Sequence, residues 1–119
     1  MLKDNFFTIE NQDVEAGRFD VRLDVQHPIF AGHFPGDPIT PGVCILQIAC
    51  ELMSLVAQRD LLITSLKNAK FMQVIRPLEN PVVTFQLDWQ LLEAQNNFQV
   101  KCVVSHNETQ FAKINFTVS

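Results

Sequence analysis

From Pro41 to about Gln58 the apolar residues Val43, Ile45, Leu46, Ile48, Ala49, Leu52, Met53, Leu55 and Val56 cover most of the circumference of a helix. A helix that is apolar on nearly every side cannot lie on a surface, so the rest of the chain has to surround it. Pro41 stands at its start, where the missing N–H costs nothing. Its polar residues Gln47, Glu51, Ser54 and Gln58 recur at i, i+4, i+7 and i+11, which makes one stripe. A polar stripe on a buried helix must meet a partner, water or a cleft.

What surrounds the helix reads as strands. Phe6 to Ile9 fits a short strand, and Phe19 to Val25 alternates strictly, as a strand with one solvated face does. After the helix, Leu61 to Ile75, Val82 to Leu92, Phe98 to His106 and Gln110 to Val118 carry β-branched and aromatic residues in alternating runs. Turn signals at Glu79-Asn80-Pro81, Gln95-Asn96-Asn97 and His106-Asn107 separate the last three. The segment from Gln26 to Thr40 holds three of the six prolines and two of the four glycines, the composition of an ordered irregular loop. The pattern predicts an α+β fold, with an antiparallel sheet wrapped around one long central helix.

At 119 residues the chain is long enough for one core and too short for two, so residues 1–119 are read as a single domain. The formal charge of −4 provides no basic footprint, which argues against nucleic acid as a partner. The apolar run of the helix is interrupted by Gln47, Glu51 and Ser54 and falls short of the ~20 residues that span a bilayer, so no membrane role is expected. Met1 to Phe7 lacks the apolar core of a signal peptide, and the expected location is cytoplasmic. Cys44, Cys50 and Cys102 show no metal-ligand spacing; they are read as buried, reduced thiols, with no metal and no cofactor implied. Ten phenylalanines with no tyrosine suit a packed core or the lining of an apolar slot.

Ahead of the helix, His33-Phe34-Pro35-Gly36-Asp37-Pro38 puts an imidazole on a proline-pinned loop. A base beside a helix N-terminus can draw a proton while backbone N–H groups hold a developing oxyanion. The run from His27 to Glu51 resembles the signature of the hot-dog-fold 3-hydroxyacyl-[acyl carrier protein] dehydratases, whose pattern reads Gly-His-Phe-Pro-Gly-x-Pro-x-x-Pro-Gly-Val. Gly32, His33, Phe34, Pro35, Gly36, Pro38, Pro41, Gly42 and Val43 match it in order and spacing. Lys70-Phe71, with Ile75 and Pro77, is similar to the strand that follows the helix in that family.

The resemblance implies a hot-dog fold and dehydration of a 3-hydroxyacyl thioester in fatty acid, lipid or polyketide-like synthesis. It makes His33 the catalytic base, with the backbone N–H of Gly42, and of Val43 beside it, as oxyanion donors. Phe34, Pro35 and Gly36 form the substrate loop, and Phe34 either packs the loop or lines the acyl slot. The implied partners are an acyl carrier protein bearing the substrate and a second copy of the chain. Sites in the family span a dimer interface, with a Glu or Asp reaching over from the facing helix.

That carboxylate position is Gln47 here, and Glu51 stands one turn on, where relatives commonly carry Gln. Three readings follow. His33 serves as base and then acid while Gln47 orients the hydroxyl or a water; or Glu51 supplies the proton through Gln47 or a water chain. In the third, the chain binds acyl groups or serves a heteromeric dehydratase as a non-catalytic partner. A hot-dog thioesterase is a further alternative, with Glu51 as the one acidic group available. Set against these, Glu51 reads simply as a helix residue paired with a cation, and His27 as a loop-fixing residue. His106 reads as solvent-facing. Lys67, Lys70 and Arg76 read as a basic patch for the carrier's phosphopantetheine or as a solvated strand face.

Overall fold

In the computed structural model, which describes residues 2–32, 36–92 and 97–119, the alternation of the second half becomes three long strands. These are β4 (Val82–Leu92), β5 (Asn97–His106) and β6 (Thr109–Val118), paired antiparallel in sequence order. Two more pieces complete the sheet. The hairpin of β1 (Phe7–Asp13) and β2 (Arg18–Leu23) joins through β2 to β4, and β3 (Ile63–Phe71) lies against β6. The order among the described residues is β1-β2-β4-β5-β6-β3, so β1 and β3 are the edges.

The inner face reads across the strands in rows. Phe19, Phe85, Val104, Ala112 and Phe71 form one, and Leu87, Cys102, Ile114 and Ala69 the next. Against these rows lies the long helix α2 (Gly42–Ala57), whose Ile45, Ile48, Ala49, Leu52 and Met53 are buried. An antiparallel sheet wrapped on one long helix is the α+β hot-dog arrangement that the sequence pattern predicts.

The differences from expectation have local causes. Gln26–Thr40 is not wholly irregular, because Pro28–Gly32 forms a one-turn helix, α1. His27 starts it: its Nδ1 accepts the Ile29 N–H at 3.1 Å and its ring meets Phe6 edge-on, 5.2 Å between centroids. β1 runs past Ile9 to Asp13, crossing an irregularity between Ile9 and Asn11, because pairing with β2 holds even its polar residues extended. β3 stops at Phe71, where the predicted strand continued to Ile75, and it is exposed along most of its length rather than alternating. α2 is not buried all round either, since Val43 is 72% exposed and Gln47 is exposed with it. His106 closes β5 and is half-buried.

Candidate active site

The start of α2 is held from below. Thr40 donates its N–H to the Ile75 carbonyl at 2.9 Å, which ties the approach to the helix to the segment beyond β3. Pro41 is the N-cap and accepts the N–H groups of Cys44 and Ile45 at 3.0 and 3.2 Å. It offers no side chain as a cap, so the N–H groups of Gly42 and Val43 are left to the helix mouth. The dipole of α2 adds positive potential at that point.

A cleft of about 320 Å³ opens there, walled by Ile39, Thr40, Pro41, Gly42 and Ile45 on one side and by Phe71 to Ile75 on the other. The lining is mostly apolar. Phe71 points inward from the end of β3, and its ring lies so close to Gly42 that a Cβ there would stand 3.0 Å from Cζ. Glycine at this position therefore allows the ring to cover the helix start. The pairing of Lys70 and Phe71 is visible in the sequence, but its contact with Gly42 is not.

Gln47 and Glu51 lie elsewhere on the helix and do not line this cleft. Gln47 is exposed on the same outward stripe as Val43. Glu51 is 4% exposed and turned toward the N-terminal segment. Its Oε1 and Oε2 accept the Leu2 N–H at 3.0 and 2.8 Å, and Oε1 accepts the Lys3 N–H at 2.9 Å. Gln47 donates Nε2–H to Oε2 at 2.9 Å. Among the described residues Glu51 is thus satisfied by N–H groups, and no Lys, Arg or His side chain pairs with it as expected; backbone amides reach this depth without the desolvation cost of a side-chain ammonium. Sequence reasoning missed Leu2 and Lys3 entirely, since a backbone donor leaves no signature. Further along the stripe, Ser54 donates to the Cys50 carbonyl and accepts the Leu61 N–H, at 3.0 and 3.1 Å.

The imidazole assigned as base, His33, lies outside the described residues, as do Phe34 and Pro35 of the loop and part of the turn signal at Gln95-Asn96. Gly36 is exposed just beyond them. Next to it, Asp37 pairs with Arg76 Nε at 3.3 Å, joining the loop to the segment after β3. Asp37 offsets part of the Arg76 charge there, and Lys67 and Lys70 are exposed on β3.

All three cysteines are buried free thiols. Burial pushes each thiol up; the Glu51 charge adds to this at Cys50 against a hydrogen bond from the Ile63 backbone, and Asp88 adds to it at Cys102. The folded protein is expected to resist iodoacetamide at pH 8 and to take up label at all three positions once unfolded in urea. Rapid labelling of any of them in the folded protein would contradict this burial. Among the described residues, no helix is long and apolar enough to cross a membrane.

Comparison with known proteins shows the family and the fold. The ApeI-like family, described as ApeI dehydratase, matches residues 9–114. The 3-hydroxyacyl-[acyl-carrier-protein] dehydratase FabZ of Chlamydia pneumoniae is 37% identical over 94 residues, which are 70% of this chain and 60% of that protein. FabZ of Chlamydia trachomatis serovar L2 is 32% identical over 107 residues, 77% of this chain and 69% of the relative. This chain therefore spans less than two thirds of the length of the first of these relatives. In fold it is similar to a chain of the dehydratase heterocomplex ApeI:P from Xenorhabdus doucetiae, with a TM-score of 0.62 and 16% identity over 92% of this chain and 95% of that one.

Proposed function

The chain belongs to the ApeI-like dehydratase family, and from that membership we propose that it dehydrates a 3-hydroxyacyl thioester carried by an acyl carrier protein. In this reading His33 removes a proton from C2, and the thioester oxygen takes up charge against the N–H groups of Gly42 and Val43. The C2–C3 double bond then forms as the C3–O bond breaks. His33 returns its proton to the departing hydroxyl, which leaves as water, while Gln47 of a facing subunit orients that hydroxyl. The observation that carries the proposal is the apolar cleft at the uncapped start of α2, with Phe71 laid over Gly42. It offers an acyl chain a slot that ends at oxyanion donors.

A facing subunit is part of the proposal. β3 is an edge strand exposed along most of its length, with Leu66 48% exposed, and α2 presents Val43 outward. Among the described residues, this edge of unpaired backbone and apolar side chains suits a second copy, or a different subunit in a heterocomplex such as ApeI:P.

The test is turnover of a short-chain 3-hydroxyacyl carrier protein by the wild type and by His33→Ala. The wild type is expected to be active, with the variant slower by ~10²–10⁴-fold. A wild type that is inert alone but active with a carboxylate-bearing homologue would replace the catalytic reading with that of a partner subunit. Release of free thiol instead of an enoyl product would mean hydrolysis.

Gly42→Ala gives a second measure. The added methyl pushes the half-exposed Phe71 ring into the cleft, so KM for a long-chain substrate is expected to rise about fivefold, equivalent to ~1 kcal/mol. The melting temperature is expected to stay within ~2 °C of wild type, because the cleft leaves the ring room for the small shift that the new contact requires. An unchanged KM would remove the acyl chain from this cleft.

A further inference from the structure

Glu51 has a geometry that the proposed reaction leaves unused. It lies on the central helix, nearly wholly buried, and is held by the N–H groups of Leu2 and Lys3. Those contacts account for a carboxylate that anchors the N-terminal segment, but not for the bond it accepts from Gln47 one turn earlier. A carboxylate bound by N–H groups receives hydrogen bonds, so the Gln47 amide must turn its NH₂ toward Glu51 and its carbonyl away. The exposed Gln47 side chain would otherwise turn freely about its last bond.

We propose that Glu51 is a positioning residue that fixes the Gln47 amide with Oε1 directed outward, so that Gln47 meets the substrate as an acceptor for the 3-hydroxyl. The N-terminal segment is part of the device, because Leu2 and Lys3 hold the carboxylate where it reaches Nε2. The consequence for turnover rests on the dehydratase reading; the fixing of the amide does not. The exchange of Gln and Glu between positions 47 and 51 then acts as one unit, in which the buried member orients the exposed one.

The test follows the side-chain NH₂ resonances of Gln47 in ¹⁵N-labelled protein. Two well-separated, slowly exchanging protons are expected in the wild type. In Glu51→Gln the one remaining carbonyl stays with the Leu2 and Lys3 N–H groups, and the new NH₂ faces Gln47, whose amide turns over and releases its own protons. Both protons are expected to move to free-amide values in Glu51→Ala and in Glu51→Asp, which keeps the charge but is one methylene too short. Where Glu51→Ala does not fold, Glu51→Asp carries the test. Identical Gln47 signals in wild type and Glu51→Asp would overturn the proposal.

Kinetics give the second readout. Glu51→Asp and Glu51→Gln are each expected to lower kcat on the order of tenfold, with KM within about twofold. A released Gln47 amide with unchanged kcat would overturn the positioning of substrate. A wild type without turnover would instead remove the dehydratase reading, and the resonances would still decide whether Glu51 fixes the amide.

Discussion

Exchanging the pair, Gln47→Glu together with Glu51→Gln, is expected to raise dehydration about 10²-fold over wild type, whereas Gln47→Glu alone gains little. The reason is the bond between the two side chains. In the wild type an amide N–H at position 47 lies 2.9 Å from a buried carboxylate oxygen. A lone Gln47→Glu change would put a second carboxylate at that contact, where two like charges cannot both be accommodated. The new side chain would share one proton with Glu51 or swing into solvent, losing ~1 kcal/mol of stability and the geometry needed to protonate a leaving hydroxyl. With Glu51→Gln beside it, the amide donates to the new carboxylate, and its own carbonyl still accepts from Leu2 and Lys3. The single and double variants, compared by turnover and by melting temperature, form a mutant cycle. A folded double variant no faster than wild type would show that residue 47 does not handle the leaving group.

Gly17→Ala is expected to cost roughly 3 kcal/mol, a fall of ~10 °C in melting temperature. Gly17 takes φ +71° in the turn between β1 and β2, a conformation that costs an L-residue about 1–2 kcal/mol. Space is the larger obstacle. A Cβ there would stand 2.4 Å from the Leu87 carbonyl oxygen and 2.6 Å from the Trp89 ring. The backbone cannot retreat without breaking the 2.8 Å bond from the Leu87 N–H to the Gly17 carbonyl. Gln86 also binds the turn, donating to the Ala16 carbonyl at 2.7 Å. Gly32→Ala is the control, since a Cβ there meets nothing within 4 Å among the described residues, and its cost should stay within about 0.5 kcal/mol. Thermal unfolding followed by circular dichroism decides it: equal melting temperatures for the two variants would mean that the turn is not pinned to β4.

Much of this protein is legible from its residues. Helix α2 emerges within a residue of its expected ends, and β4, β5 and β6 match their alternating runs closely. These elements announce themselves because burial imposes a period on neighbouring side chains, and a period is local information. The loop signature before α2 carried the family, and Gly42 does stand at an uncapped helix start.

Other features needed the folded chain. That β3 crosses to the far edge beside β6 cannot be read from its own residues, since strand order depends on which surfaces remain once the other strands have paired. The ring of Phe71 over Gly42 joins two elements through space alone. Most plainly, the sequence showed Gln47 and Glu51 as an exchanged pair on one stripe, but not which of them would face outward. The N-terminal segment decided that by bringing two backbone N–H groups to Glu51. Every residue but proline has such a donor, so only the tertiary structure selects the one that matters.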